Sequence, residues 1–116
     1  MSTILVLDDD QVILDLLETV LAEAGYETLV YPGLSAIPED TSADLVITDL
    51  VPLKAYRRES ALEWVSSLRA RFAAPLVVVT AHADAVAEPD LLGANAIIAK
   101  PFDVDELLAK LNELLG

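Results

Sequence analysis

The chain alternates short, strongly apolar runs with longer stretches in which apolar residues recur at helical spacing. Ile4–Leu7, Tyr26–Tyr31, Leu45–Thr48, Leu76–Thr80 and Ala96–Ala99 are rich in β-branched and aliphatic residues, and each has the length of a buried strand. Between the first two, Val12, Ile13, Leu16, Leu17, Val20, Leu21 and Ala24 trace one helical face, and Gly25 suits the C-terminal cap. The connection after Tyr31 holds Pro32, Gly33 and Pro38, so the helix expected at Leu34–Ile37 is short. Leu50 to Glu59 forms a longer connection, followed by a helix whose apolar face is Leu62, Val65, Leu68 and Phe72. His82 to Gly93 is weak as a helix because Pro89 lies inside it, and Pro89 is expected to open a single helical turn. Asp103, with Glu106 three residues on, is placed to cap a last helix bearing Leu107, Leu108, Leu111, Leu114 and Leu115.

Strict alternation of five strands with helices predicts an α/β fold with one five-stranded parallel sheet covered on both faces. Right-handed crossovers favour the flavodoxin-like order 2-1-3-4-5, with the crevice between the carboxyl ends of strands one and three. Four of the runs end on polar residues that a buried strand does not need. These are Asp8, Asp9 and Asp10; Asp49; Thr80; and Lys100-Pro101. In this topology all of them converge on one edge of the sheet, with Asp8–Asp10 beside Asp49.

Several carboxylates held close together must take up protons or bind a cation, and oxygen ligands alone favour a hard ion such as Mg²⁺. Thr80 can donate to a phosphoryl oxygen, and Lys100 supplies a compact positive charge. Together they suit phosphoryl transfer, which depends mainly on positioning and charge neutralisation. Taken singly, each residue has a plainer role. Asp10 suits the cap of the first helix, Asp49 the cap of a loop, Thr80 a strand position and Lys100 the surface. The combination carries the signal.

Composition narrows the setting. The 116 residues are 54% hydrophobic with a mean hydropathy of +0.49, which fits strands buried on both faces and excludes a disordered chain. No apolar stretch approaches the roughly 20 residues of a membrane span, and no secretion signal opens the chain, so the expected location is cytoplasmic. Zero cysteines exclude disulfides and thiolate metal sites. Twenty acids against seven bases give a net charge of −13, a surface that repels nucleic acid and anionic membranes.

The motifs Ile4-Leu5-Val6-Leu7-Asp8-Asp9-Asp10, Asp44-Leu45-Val46-Ile47-Thr48-Asp49-Leu50, Val77-Val78-Val79-Thr80-Ala81 and Lys100-Pro101-Phe102 share an order and spacing with a known family. The chain resembles a response-regulator receiver domain of two-component signalling, over essentially all of residues 1–116. The resemblance implies that Asp49 accepts a phosphoryl group from a histidine kinase or histidine phosphotransfer protein. It implies Mg²⁺ bound directly by Asp9, mainly through water by Asp8, and also by Asp49 and the Val51 backbone carbonyl. Thr80 and Lys100 would contact the phosphoryl group, Ala81 would leave access to it, and Lys100–Pro101 would be cis. The output protein or domain is not named by these residues. None follows Leu115, so a stand-alone receiver or part of a longer protein is expected.

Three features depart from the family's pattern. Pro52 stands at the third position after the acceptor, preceded by Val51 instead of methionine, and the position of the usual glycine is reached only at Ser60 or Ala61, after a net insertion. The inserted stretch carries Lys54, Arg57 and Arg58, three of the seven bases, which face either solvent or the phosphorylation pocket and its partner. Ile97 stands where the family has a switching aromatic, so conventional coupling to the fourth helix and fifth strand is in question. His82 is expected to be exposed, and Trp64 to be a partly buried packing residue.

Two rival readings follow. A degenerate receiver would bind partners without phosphorylation, as the altered loop and Ile97 allow. A phosphatase of the haloacid dehalogenase class would use Asp8 as nucleophile and Asp10 as acid/base. That reading lacks a later acidic pair and leaves Asp49 unexplained.

Overall fold

The computed structural model describes residues 2–50 and 53–116. Five strands, β1 (Thr3–Leu7), β2 (Glu27–Tyr31), β3 (Leu45–Thr48), β4 (Leu76–Thr80) and β5 (Ala96–Ala99), form one sheet in the order β2-β1-β3-β4-β5. Every pairing is parallel, as the alternating pattern predicted. The helices are α1 (Gln11–Glu23), α2 (Arg58–Arg71), the single turn α3 (Ala83–Val86) and α4 (Val104–Leu115). Two 3₁₀ turns, Leu34–Ala36 and Leu91–Gly93, complete the described elements.

Period-two alternation divides the strand residues between two cores. Ile4, Val6, Leu45, Ile47, Val77 and Val79 pack with Leu14, Leu17 and Leu21 of α1 and with Leu107 and Leu111 of α4. Leu5, Leu7, Val46, Leu76 and Val78 face the other way, onto Ala61, Val65 and Leu68 of α2 and Phe72 just beyond it. The central strands β1, β3 and β4 are therefore nearly uniform apolar runs, and only their ends are free to carry chemistry.

Several boundaries differ from the sequence expectation. Asp10 caps α1 by accepting the Val12 N–H at 2.9 Å, so the plainer of its two roles is the one the structure shows. Ala24 is the C-cap, and Gly25 follows it at φ +95°, where a side chain would be strained. Val12 was placed on the buried face but is 73% exposed, and Leu16 is 41% exposed; the buried stripe is Leu14, Leu17 and Leu21. The apolar positions of α1 are too many for one face, so part of the set turns outward.

Pro89 opens a single turn but no helix: α3 ends before it, and the Leu91 N–H closes the turn by donating to the Glu88 carbonyl at 3.2 Å. The 3₁₀ turn then begins after Asp90, whose carboxylate accepts the Leu92 N–H at 3.0 Å. A proline disfavours helical backbone in the residue before it, here Glu88, and so separates the two turns. Helix α2 starts at Arg58, two residues inside the connection expected to run to Glu59. Asp103 caps α4 through the N–H groups of Asp105 and Glu106, as its spacing predicted.

Candidate phosphoryl-transfer site

Parallel pairing brings the candidate residues together. Leu7 is paired with Thr48, and the ladder continues one residue further as the Asp49 N–H donates to the Leu7 carbonyl at 2.9 Å. Asp8 and Asp49 therefore leave neighbouring strands side by side. On the other flank Thr80 pairs with Ala99, and the Lys100 N–H donates to the Thr80 carbonyl at 2.9 Å. The Lys100–Pro101 bond is cis.

Lys100 spans the crevice. Its Nζ donates to Asp8 Oδ2 at 2.7 Å and to Asp49 Oδ2 at 3.0 Å. The second oxygen of each carboxylate is also used: Asp8 Oδ1 accepts the Asp10 N–H at 2.9 Å, and Asp49 Oδ1 accepts the Leu50 N–H at 2.7 Å. Asp9 is exposed, yet it offers an oxygen to a set with Asp8 and Asp49 whose ligand atoms all lie within 4.8 Å of one another.

The electrostatics are unbalanced. Asp8 is 2% exposed, and burial pushes its carboxyl above the ordinary value despite the opposing hydrogen bond from Lys100. Burial works against the Lys100 ammonium too, but the hydrogen bonds it donates to Asp8 and Asp49 outweigh it and raise its pKa. One cation thus serves two carboxylates, with a third beside them. The donor set fits a hard divalent ion: all of its ligands are oxygens, and the charge of one lysine does not satisfy them.

Thr80 is fully buried at the end of β4. Its Oγ1 accepts the His82 N–H at 3.1 Å, and among the described residues it makes no hydrogen bond to the carboxylates. Ala81 is exposed beside it. The expected Val51 carbonyl ligand, and Pro52 with it, lie outside the described residues.

His82 is half-buried, not exposed as expected, because its ring packs toward the inserted loop. Its Nε2 lies 3.3 Å from the Leu53 carbonyl, and its ring centroid lies 6.2 Å from that of Tyr56. Ile97 is partly buried against the core under α2, where Tyr56 and Trp64 also pack.

Trp64 does more than the packing expected of it. Its Nε1–H lies 3.0 Å from both Thr48 Oγ1 and the Asp49 carbonyl, and Thr48 Oγ1 donates to that same carbonyl at 2.6 Å. The backbone of Asp49 is thereby fixed from the α2 side. Nothing in the sequence pairs Trp64 with Asp49; only the crossing of α2 over β3 does so. Arg58, from the insertion, faces acids on the α3 side: it pairs with Glu88, and its Nη2 meets Asp90 at 2.6 Å.

Comparison with known proteins places these features in context. The family model described as the response regulator receiver domain matches residues 4–112. Sensory transduction protein RegX3 of Mycolicibacterium smegmatis is 32% identical over 121 aligned residues, covering 99% of this chain and 51% of RegX3. Response regulator ArlR of Staphylococcus aureus is also 32% identical, with 99% of this chain and 53% of ArlR covered. The chain spans about half the length of these curated relatives. A receiver protein from Burkholderia phymatum superposes with a TM-score of 0.76 at 29% identity, over 100% of this chain and 96% of that one. TrrA from Thermotoga maritima, solved in complex with Mg²⁺-BeF, superposes with a TM-score of 0.76 at 29% identity, over 99% and 100% of the two chains.

Proposed function

Because the chain belongs to the response-regulator receiver family, we propose that its own residues make it a working phosphoacceptor, with Asp49 as the acceptor. The observation that supports this most is the pairing of Asp8 and Asp49 across β1 and β3, with Lys100 reaching both carboxylates. A haloacid dehalogenase-like phosphatase would have no use for a second carboxylate in that place.

In this reading the donor is a phosphohistidine of a histidine kinase or phosphotransfer protein, met in the cytoplasm. A carboxylate oxygen of Asp49 forms the new O–P bond as the P–N bond breaks, and the imidazole leaves with the bonding pair. Asp8, Asp9 and Asp49 would hold Mg²⁺, which when bound neutralises charge on the phosphoryl oxygens. Lys100 exchanges a carboxylate partner for a phosphoryl oxygen, so its charge is kept in place and needs no reorganisation from water. Thr80 has committed a lone pair to the His82 N–H and keeps its hydroxyl proton for a phosphoryl oxygen. Trp64 and Thr48 restrain the Asp49 backbone and so help to fix the nucleophile. Phosphorylation then changes which partner, or which output domain, the receiver binds.

The test is incubation with acetyl phosphate, with and without Mg²⁺, followed by intact-protein mass spectrometry of wild type and Asp49→Asn. The expected outcome is a Mg²⁺-dependent gain of one phosphoryl group that the variant loses. Ile97 and the inserted loop favour a second reading, in which the domain binds partners without phosphorylation. Absence of any modification at saturating Mg²⁺ and donor would support it.

A further inference from the structure

We propose that the groove between the inserted loop and α2 is a docking surface for a short acidic peptide segment carrying an apolar side chain. The groove has a volume of about 630 Å³, and Leu53, Lys54, Arg57, Ser60, Glu63 and Trp64 contribute to its lining. It lies outside the carboxylate crevice, and the site described above uses neither Lys54 nor Arg57.

Charge complementarity identifies the occupant. The chain carries a net −13, yet this groove has two cations against the single acid Glu63 among its described lining residues. Lys54 and Arg57 are exposed, and among the described residues neither makes an ion pair. Arg58 beside them is committed to Glu88 and Asp90. At a physiological Debye length of about 8 Å, an approaching peptide senses the charges lining the groove more than acids farther away.

Arg57 is also placed against local helix chemistry. It occupies the N-cap position of α2 with no side-chain capping bond, where serine, threonine, aspartate or asparagine is preferred. A cation there opposes the positive end of the helix dipole. A residue that breaks a local rule on an exposed surface is where a binding role is to be sought.

The apolar requirement comes from Leu53 and the indole of Trp64. Both are partly buried and pack on the core below, offering a hydrophobic floor beneath the two cations. The groove is open along its outer side, unlike the enclosing pockets of small ligands, and that shape suits a segment of chain. Trp64 also contacts the Asp49 carbonyl, so the surface lies one side chain from the acceptor backbone. The inference does not depend on phosphorylation.

The experiment is a selection of random twelve-residue peptides, displayed without a free phosphodonor or Mg²⁺, on the intact chain. Binding of the enriched peptides is then measured by fluorescence of Trp64, the sole tryptophan. Enriched sequences are expected to combine acids with a large apolar residue and to change Trp64 emission. Their affinity is expected to fall at least tenfold in Lys54→Glu/Arg57→Glu and to fall less in Lys54→Ala/Arg57→Ser. Failure to enrich any peptide, enrichment of sequences without acids, or unchanged affinity in both double variants would overturn the proposal. Acetyl phosphate modification of Asp49 in the same variants is read separately, so loss of docking and loss of phosphorylation are distinguishable.

Discussion

Asp8 shows what it costs a fold to bury a carboxylate. Its carboxyl is almost fully buried, and its pKa is raised above the ordinary 3.8. The folded chain therefore binds this proton more readily than the unfolded chain does. Charged Asp8 subtracts from stability above its folded pKa, and that loss disappears as pH falls through the folded value toward 3.8. Asp8→Asn keeps an oxygen for the Asp10 N–H and leaves Lys100 paired with Asp49. Without metal at pH 7 the variant is expected to melt a few degrees higher than wild type, about 1 kcal/mol of stability. The difference should shrink as pH is lowered. Added Mg²⁺ should raise the melting temperature of the wild type and leave that of the variant nearly unchanged. Thermal denaturation across pH, with and without Mg²⁺, checks both signs; a variant that melts lower without metal would contradict the account.

At the scale of elements, α2 is the most informative. Its N-terminus lacks a side-chain cap, and its first residue, Arg58, is drawn to Glu88 and Asp90. These contacts tie the start of α2 to the turns around Pro89. Arg57→Asp should supply the missing cap and favour the helix dipole, stabilising the fold by about 1 kcal/mol. Urea denaturation would show this as a raised midpoint with an unchanged slope. The same substitution should weaken acidic-peptide docking, so stability and binding are expected to move in opposite directions. A lowered midpoint would show that Arg57 makes a structural contribution beyond its place in the groove.

The element scale also shows what was legible in the sequence. Strands buried on both faces announce themselves as apolar runs, and their polar ends mark Asp8, Asp9, Asp49, Thr80 and Lys100 in the sequence itself. Helix boundaries were less clear, because Arg57 and Arg58 carry no capping signal and the apolar positions of α1 exceed one face. The hydrogen bonds of Trp64 to Thr48 and Asp49, and the turn of His82 toward Leu53, arise from tertiary crossing. Periodicity carries no information about such contacts.

For the whole molecule, the sheet order decides what the sequence order conceals. Only the placement of β1 between β2 and β3 brings Asp8 and Asp49 together, and only β5 beside β4 delivers Lys100 to them. No described helix is long and apolar enough to cross a membrane. The chain matches about half the length of RegX3 and ArlR, and the chemistry proposed at the crevice lies wholly within the matched part. That chemistry is tested most directly by a crystal structure of this chain with Mg²⁺ and beryllofluoride. The account predicts beryllium on an Asp49 oxygen, Mg²⁺ among Asp8, Asp9 and Asp49, and Lys100 turned from a carboxylate to a fluoride. Beryllium on Asp8, or an empty crevice at saturating reagent, would contradict it.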